Sequence, residues 1–212
     1  MRSLYLAIAL LCFTPTPASA CSVVRSYHVP TSLELVERAD TILVGTVIGE
    51  RTEGEGQAGL VLVRPTMLLK GSELPQQVEL WGWLAKSGEF LTRSDPNELR
   101  QPNPDALRGG CTRYVFERDM KLLLFFEQKA GKLVFAGYPF ARVSEDVPSD
   151  DSRWVRAVRA YTAVAALPKG ERRAAMIAKR DALRARRDDR DAAAIADDID
   201  HELAATRLPL RD

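Results

Sequence analysis

The alternation of apolar and polar positions changes period along the chain, and the changes divide it into three stretches. The first is an apolar run, Leu4 to Phe13, preceded by Arg2 and broken by Thr14-Pro15-Thr16-Pro17 ahead of Ala18-Ser19-Ala20. It is too short to span a bilayer and has the form of a secretory signal cleaved at an Ala-x-Ala site, so residues 1–20 are expected to leave the mature chain. The second stretch, to about residue 148, is dominated by short β-branched and aromatic runs between turn formers. The third, residues 149–212, is rich in alanine, arginine and aspartate, with apolar residues at helical spacing.

Within the second stretch the elements follow from local chemistry. Arg25-Ser26-Tyr27-His28-Val29-Pro30 reads as extended, because the residue before a proline avoids helical angles. Thr31-Ser32-Leu33-Glu34 has the capping-box form and opens a short helix through Leu35 and Val36, ending near Ala39-Asp40. Thr41 to Ile48 predicts a strand with a bulge, bend or close approach at Gly45, and residues 49–59 predict a hairpin loop. Leu60 to Leu69 predicts the returning strand, in which Pro65 calls for an edge or a bulged bend. After the turn at Lys70-Gly71-Ser72, Val78 to Leu84 alternates as a third strand whose Trp81 and Trp83 are expected to cover one end of a barrel. Residues 85–110 hold several turn formers and predict a long surface excursion that delivers the chain to Cys111. Met120 to Glu127 and Lys132 to Tyr138 predict a hairpin whose first strand is apolar on both faces. Five short antiparallel strands and one early helix suit a small closed barrel, since closure removes exposed edges.

In the third stretch Trp154, Val155, Val158, Tyr161, Val164 and Leu167 recur at helical spacing. A second helix is expected over Lys169 to Arg190 and a third over about Asp191 to Ala205. The second is basic (Arg172, Arg173, Lys179, Arg180, Arg184, Arg186, Arg187) and the third acidic (Asp197, Asp198, Asp200, Glu202), which predicts that the two pair with each other.

Composition adds little to this picture: 212 residues with 46% hydrophobic content and a net charge of +1 are ordinary for a globular protein, and the charge names no partner. Nucleic acid is not expected as one, because the basic helix is interrupted by acidic residues and lacks interleaved aromatics. No phosphate loop, nucleophile elbow or zinc-helix motif is present, and the two histidines, His28 and His201, have no accompanying ligand cluster in sequence. The reading is a non-enzymatic protein with no cofactor and no metal of its own.

The cysteines change the picture most. Of three, Cys12 lies in the signal, so the mature chain carries Cys21, at its first position, and Cys111. In an oxidising exported compartment two thiols most simply form one disulfide; two free thiols or an intermolecular bridge are the alternative. Cleavage before Cys21 is equally required by a lipoprotein, but the third position before the cysteine is Ala18 and seven small or polar residues separate it from the apolar run. Plain export to the periplasm or the outside is therefore the first reading and lipid anchoring at Cys21, with a structural or interaction role in the envelope, the second.

The order of Cys21-Ser22, a short helix ending Ala39-Asp40, the strand Thr41 to Ile48, the strand ending Met67-Leu68-Leu69-Lys70-Gly71, and Cys111 ahead of the 120–138 hairpin resembles the inhibitory domain of the tissue inhibitors of metalloproteinases and the wider netrin-like modules. The similarity covers residues 21–148 and leaves 149–212 aside. It implies a five-stranded barrel of the oligonucleotide/oligosaccharide-binding type, which with the helical segment read above makes an α+β chain, and a bridge from Cys21 to Cys111. It also implies protease contacts through Cys21, Ser22 and Val23, with the amine and carbonyl of Cys21 chelating a partner protease's zinc. Val23 stands where the family has a further cysteine, and that cysteine's partner near Ala136 to Tyr138 is also missing, so one bridge is absent as a pair.

Overall fold

The computed structural model describes residues 23–24, 26–51, 59–86, 89, 91–137 and 139–205. Helix α1 (Ser32–Arg38) is closed by the expected capping box: the Thr31 hydroxyl accepts from the Glu34 amide and the Glu34 carboxylate accepts from the Thr31 amide. Its far end is held by Lys70, whose ammonium donates to the carbonyls of Val36 (2.8 Å) and Ala39 (2.6 Å). A cation is favoured there by the helix dipole, and burial pushes the Lys70 amine below its ordinary range.

Strands β1 (Thr41–Arg51) and β2 (Leu60–Lys70) form a long antiparallel pair. A register shift falls between Val44 and Gly45, and Gly45 lies opposite Pro65. A Cβ on Gly45 would sit 2.7 Å from the Val63 side chain and 3.0 Å from the Arg64 carbonyl, so the close approach read from the sequence is real. Strand β3 (Val78–Trp81) pairs with β2 only from Leu60 to Val63, leaving Pro65 where no ladder on that side needs its missing N–H. β6 (Lys121–Lys129) lies on the other side of β1, with β7 (Lys132–Phe135) and β8 (Ser144–Asp146) both paired to it.

The main sheet therefore runs β3-β2-β1-β6-β7, with β8 on β6. Among the described residues no ladder joins β3 to β7, so the closed barrel expected from the strand count is replaced by an open antiparallel sheet. The reason lies at Gly82, whose φ of +145° breaks the predicted strand 78–84 in two. The piece beyond it, β4 (Trp83–Leu84), leaves the sheet and pairs in parallel with β5 (Val115–Phe116).

Both faces of the sheet are covered, which accounts for the unbroken apolar run in β6. Leu122, Leu124 and Phe126 join Leu43, Val47, Val61, Val63, Val78, Leu80 and Phe116 on one face. Leu123 and Phe125 join Ile42 and Val44 on the other, beneath the helices. There α2 (Arg153–Ala165) contributes Trp154, Val155, Val158 and Tyr161, and Phe125 stacks on Trp154 with ring centroids 5.8 Å apart. α3 (Lys169–Arg184) and α4 (Arg190–Ala204) complete the layer, α4 through Ala192, Ile195, Ala196 and Ile199. One apolar core thus runs from the sheet through all three C-terminal helices. The change of composition near residue 149 marks a new layer rather than a gap in packing. The expected charge pairing is present: Arg180 donates to Asp200 at 2.9 Å and Arg184 to Asp197 at 3.1 Å.

Candidate functional site around Cys111

The segment between β4 and β5 is not the surface excursion predicted from its turn formers. Thr92, Ser94, Leu99, Asn103, Asp105 and Ala106 are buried, and a short 3-10 turn forms at Pro104–Leu107. A polar network holds it. The Arg113 guanidinium, 0% exposed, is paired with Asp146 of β8 and donates to the carbonyls of Thr92 and Val115, each at 3.0 Å. Ser94 donates to Glu145 at 2.6 Å, Glu145 accepts from the Asn103 amide at 3.0 Å, and the Asn103 side chain donates back to Thr92 at 3.0 Å. Arg113, Ser94, Asn103 and Glu145 each find a counterpart on another part of the chain, which is how a loop is buried without stranding backbone donors.

This network is rooted two residues from Cys111, whose side chain is buried and whose φ is +61°. The Cys111 carbonyl accepts from the Phe140 amide at 2.7 Å, and the neighbouring Pro139 carbonyl accepts from the Tyr27 hydroxyl at 2.5 Å. Burial pushes the Tyr27 phenol above its ordinary range. The amino-terminal segment and the Cys111 loop are thereby fastened to the same two residues. Val23 is half-buried at the start of that segment, Val24 is exposed, and a turn bonds the Tyr27 amide to the Val24 carbonyl at 2.9 Å. Cys21 and Ser22 lie outside the described residues. His28 is partly exposed and lies 3.4 Å from the Glu34 carboxylate. Among the described residues no group of three or more His, Cys, Asp and Glu side chains could hold a metal ion.

Beside Cys111 is a half-open pocket of about 650 Å³, within the range of small-molecule or side-chain sites. Trp81 from β3, Lys129 from β6, Val134 and Phe135 from β7, and Gly109 to Thr112 line it. The pocket is the seam where the sheet's two unjoined edges face each other. Trp81 and Trp83, expected to cover one end of a barrel, are 52% and 38% exposed and pack against each other and Tyr114, with centroids 5.0 to 6.4 Å apart. This trio is built on glycines. A Cβ on Gly82 would lie 2.3 Å from the Tyr114 carbonyl, and one on Gly110 2.1 Å from its ring.

The aromatic trio and the Arg113 network were not legible beforehand, since both depend on Tyr114 and Arg113 returning beside residues some thirty positions away. The only local signal was the glycine at 82 between two tryptophans. Chemically, the site offers exposed aromatic surface, a seam and a held amino-terminal segment, which are means of binding. Among the described residues no helix is long and apolar enough to cross a membrane. Comparison with protein families, curated proteins and solved structures found no match.

Proposed function

We propose that the mature chain is an exported, non-enzymatic protein-binding module of netrin-like design, whose barrel is left open at one seam. It engages a zinc metalloprotease through Cys21, Ser22 and Val23. The observation that carries this reading is the convergence at residues 139–140. Tyr27 ties the amino-terminal segment to Pro139, and Phe140 ties the same turn to Cys111. A chain beginning at Cys21 then starts six residues before a tyrosine that is itself anchored beside the loop carrying the other cysteine.

A bridge from Cys21 to Cys111 would order the first residue. Its neutral α-amine and its carbonyl could then displace the water from the open position of a catalytic zinc, and prior ordering lowers the entropic cost of doing so. Ser22 would point into the protease's specificity pocket. The exposed Trp81, Trp83 and Tyr114 beside the seam are of the types enriched at interface hot spots.

The test is inhibition of a panel of zinc metalloproteases by the mature protein beginning at Cys21, set against the same protein with one alanine added before it. The added residue moves the amine away from the zinc and acylates the Cys21 nitrogen as a peptide. Inhibition by the first and at least a hundredfold weaker inhibition by the second is the expected result. Equal inhibition by both would remove Cys21 from the mechanism, and none by either would remove the proteases as partners.

A further inference from the structure

Asp198 of α4 is the most conspicuous charged side chain that the seam does not use. It is 5% exposed and lies where four parts of the chain meet. From α2, the Tyr161 hydroxyl donates to its Oδ2 at 2.8 Å. From the start of α1, the Ser32 hydroxyl lies nearby and donates to the Leu99 carbonyl at 3.5 Å. From the segment before Cys111, Arg100 approaches its Oδ1 at 3.8 Å, but that side chain is more than half exposed. The buried Arg142 also faces it, though its guanidinium is already engaged by the Glu98 carbonyl at 2.6 Å, by Glu145 at 3.8 Å and by the face of Trp154. On α4 itself Asp197 and Asp200 are paired with Arg184 and Arg180, and one turn further on lie His201, on the exposed side, and Glu202, which is buried.

The direct hydrogen bond to this carboxyl therefore comes from a neutral hydroxyl, and the cations lie at longer range or bonded elsewhere. Burying an ionised carboxylate on such terms is costly, whereas a protonated one is nearly neutral to bury. We propose that Asp198 is an acid-responsive latch: uptake of one proton seats α2 and α4 more firmly on α1 and the sheet, and its release loosens them. Burial holds the Asp198 carboxyl above the ordinary carboxylate range, against the lowering effect of Tyr161, Ser32, Arg100 and His201. A raised carboxyl binds its proton better in the folded than in the unfolded chain. Its stabilisation is thus greatest in mild acid and is lost as pH rises from about 4 toward neutrality. Carboxyls held low, such as Asp146, Asp189 and Glu98, act in the opposite sense and only below that window.

Amide hydrogen exchange of the mature protein, corrected for the intrinsic rate and followed on α2 and α4 from about pH 4.5 to about pH 8, tests the latch across the range where a raised carboxyl titrates. The wild type should be more protected at the acid end than at the alkaline end. Asp198→Asn should match, at the alkaline end, the protection the wild type shows in mild acid and should lose the dependence between them. His201→Gln should keep that dependence, separating the neighbouring imidazole from the carboxyl. Lower protection toward acid, with Asp198→Asn weaker throughout, would overturn the proposal and make the Arg100 ion pair the holding contact. Should the asparagine variant fail to fold, the wild-type profile alone decides, because protection that stays flat or drops toward acid contradicts the latch.

Discussion

At the scale of single residues, Gly82 and Gly110 decide the geometry of the seam. Alanine at 82 would have to adopt a φ of +145° and push its Cβ to 2.3 Å from the Tyr114 carbonyl. Overpacking costs roughly 1–3 kcal/mol and an unfavourable φ about 1 more. Gly82→Ala should therefore lower unfolding stability by about 2–4 kcal/mol, read from the urea midpoint at unchanged slope. A methyl added at Gly170 in α3 would meet no atom within 4 Å, and Gly170→Ala should raise stability by up to about 1 kcal/mol in the same assay. Equal midpoints for the two variants would contradict the turn at 82.

Arg113 is the second decisive residue. Its removal leaves Asp146 and two carbonyls without their buried partner, so Arg113→Met should cost about 3–5 kcal/mol, measurable by the same unfolding curves. Burial pushes the Asp146 carboxyl up, and the Arg113 guanidinium with the Ser94 amide more than offsets this, holding it below its ordinary range. The pair's contribution is present above about pH 4 and is lost as pH falls below it. The stability gap between wild type and Arg113→Met should then narrow toward about pH 2, leaving the share that belongs to the two carbonyls, whereas a constant gap down to that pH would count against the pairing.

At the scale of elements, the capping box, the close approach at Gly45, the doubly buried β6 and the oppositely charged helix pair were all legible in the sequence. Each is set by residues within a few positions of one another or by a plain periodicity. What was not legible depended on distant returns. The strand 78–84 alternates perfectly, yet Gly82 breaks it because Tyr114 occupies the space a side chain would need. The turn-rich stretch 85–110 reads as surface because the partners of its buried part, Arg113, Glu145 and Asp146, lie further along the chain. Of the site, Cys111 ahead of the last hairpin was readable, but the Tyr27 to Pro139 fastening beside it was not.

The C-terminal helices belong to this scale as well. They supply Trp154, Val158, Tyr161, Ile195 and Ile199 to the core that covers Ile42, Val44, Leu123 and Phe125. Losing several large apolar side chains at about 1.5–3 kcal/mol each exceeds the whole stability of an ordinary domain. A chain ending at residue 148 should therefore fail to give a cooperative unfolding transition by circular dichroism and should self-associate in size-exclusion chromatography. A monomer with a sharp transition would show that the sheet stands without its helical layer. Within that layer Asp189 caps α4 through the Ala192 amide, and its bond to Arg156 holds its carboxyl down to about 2. The first turn of α4 should lose protection only as pH falls from about 4 toward that value, opposite in sign to the response at Asp198.

At the scale of the whole molecule, an open sheet with both faces covered leaves one seam, and the amino-terminal segment is fastened beside it. That arrangement makes sense of a binding module only if the mature chain begins with an ordered, unmodified Cys21. The measurement that bears on this most directly is the intact mass of the mature protein from its native host, taken without reduction and with a map of its terminal peptides. The account predicts a chain starting at Cys21, two hydrogens lighter than its sequence, with Cys21 and Cys111 in one linked peptide pair and no added groups. A mass raised by fatty acyl chains would contradict it, since an acylated nitrogen cannot chelate zinc. Two thiols open to alkylation would contradict it as well, since nothing would then hold the first residue in place.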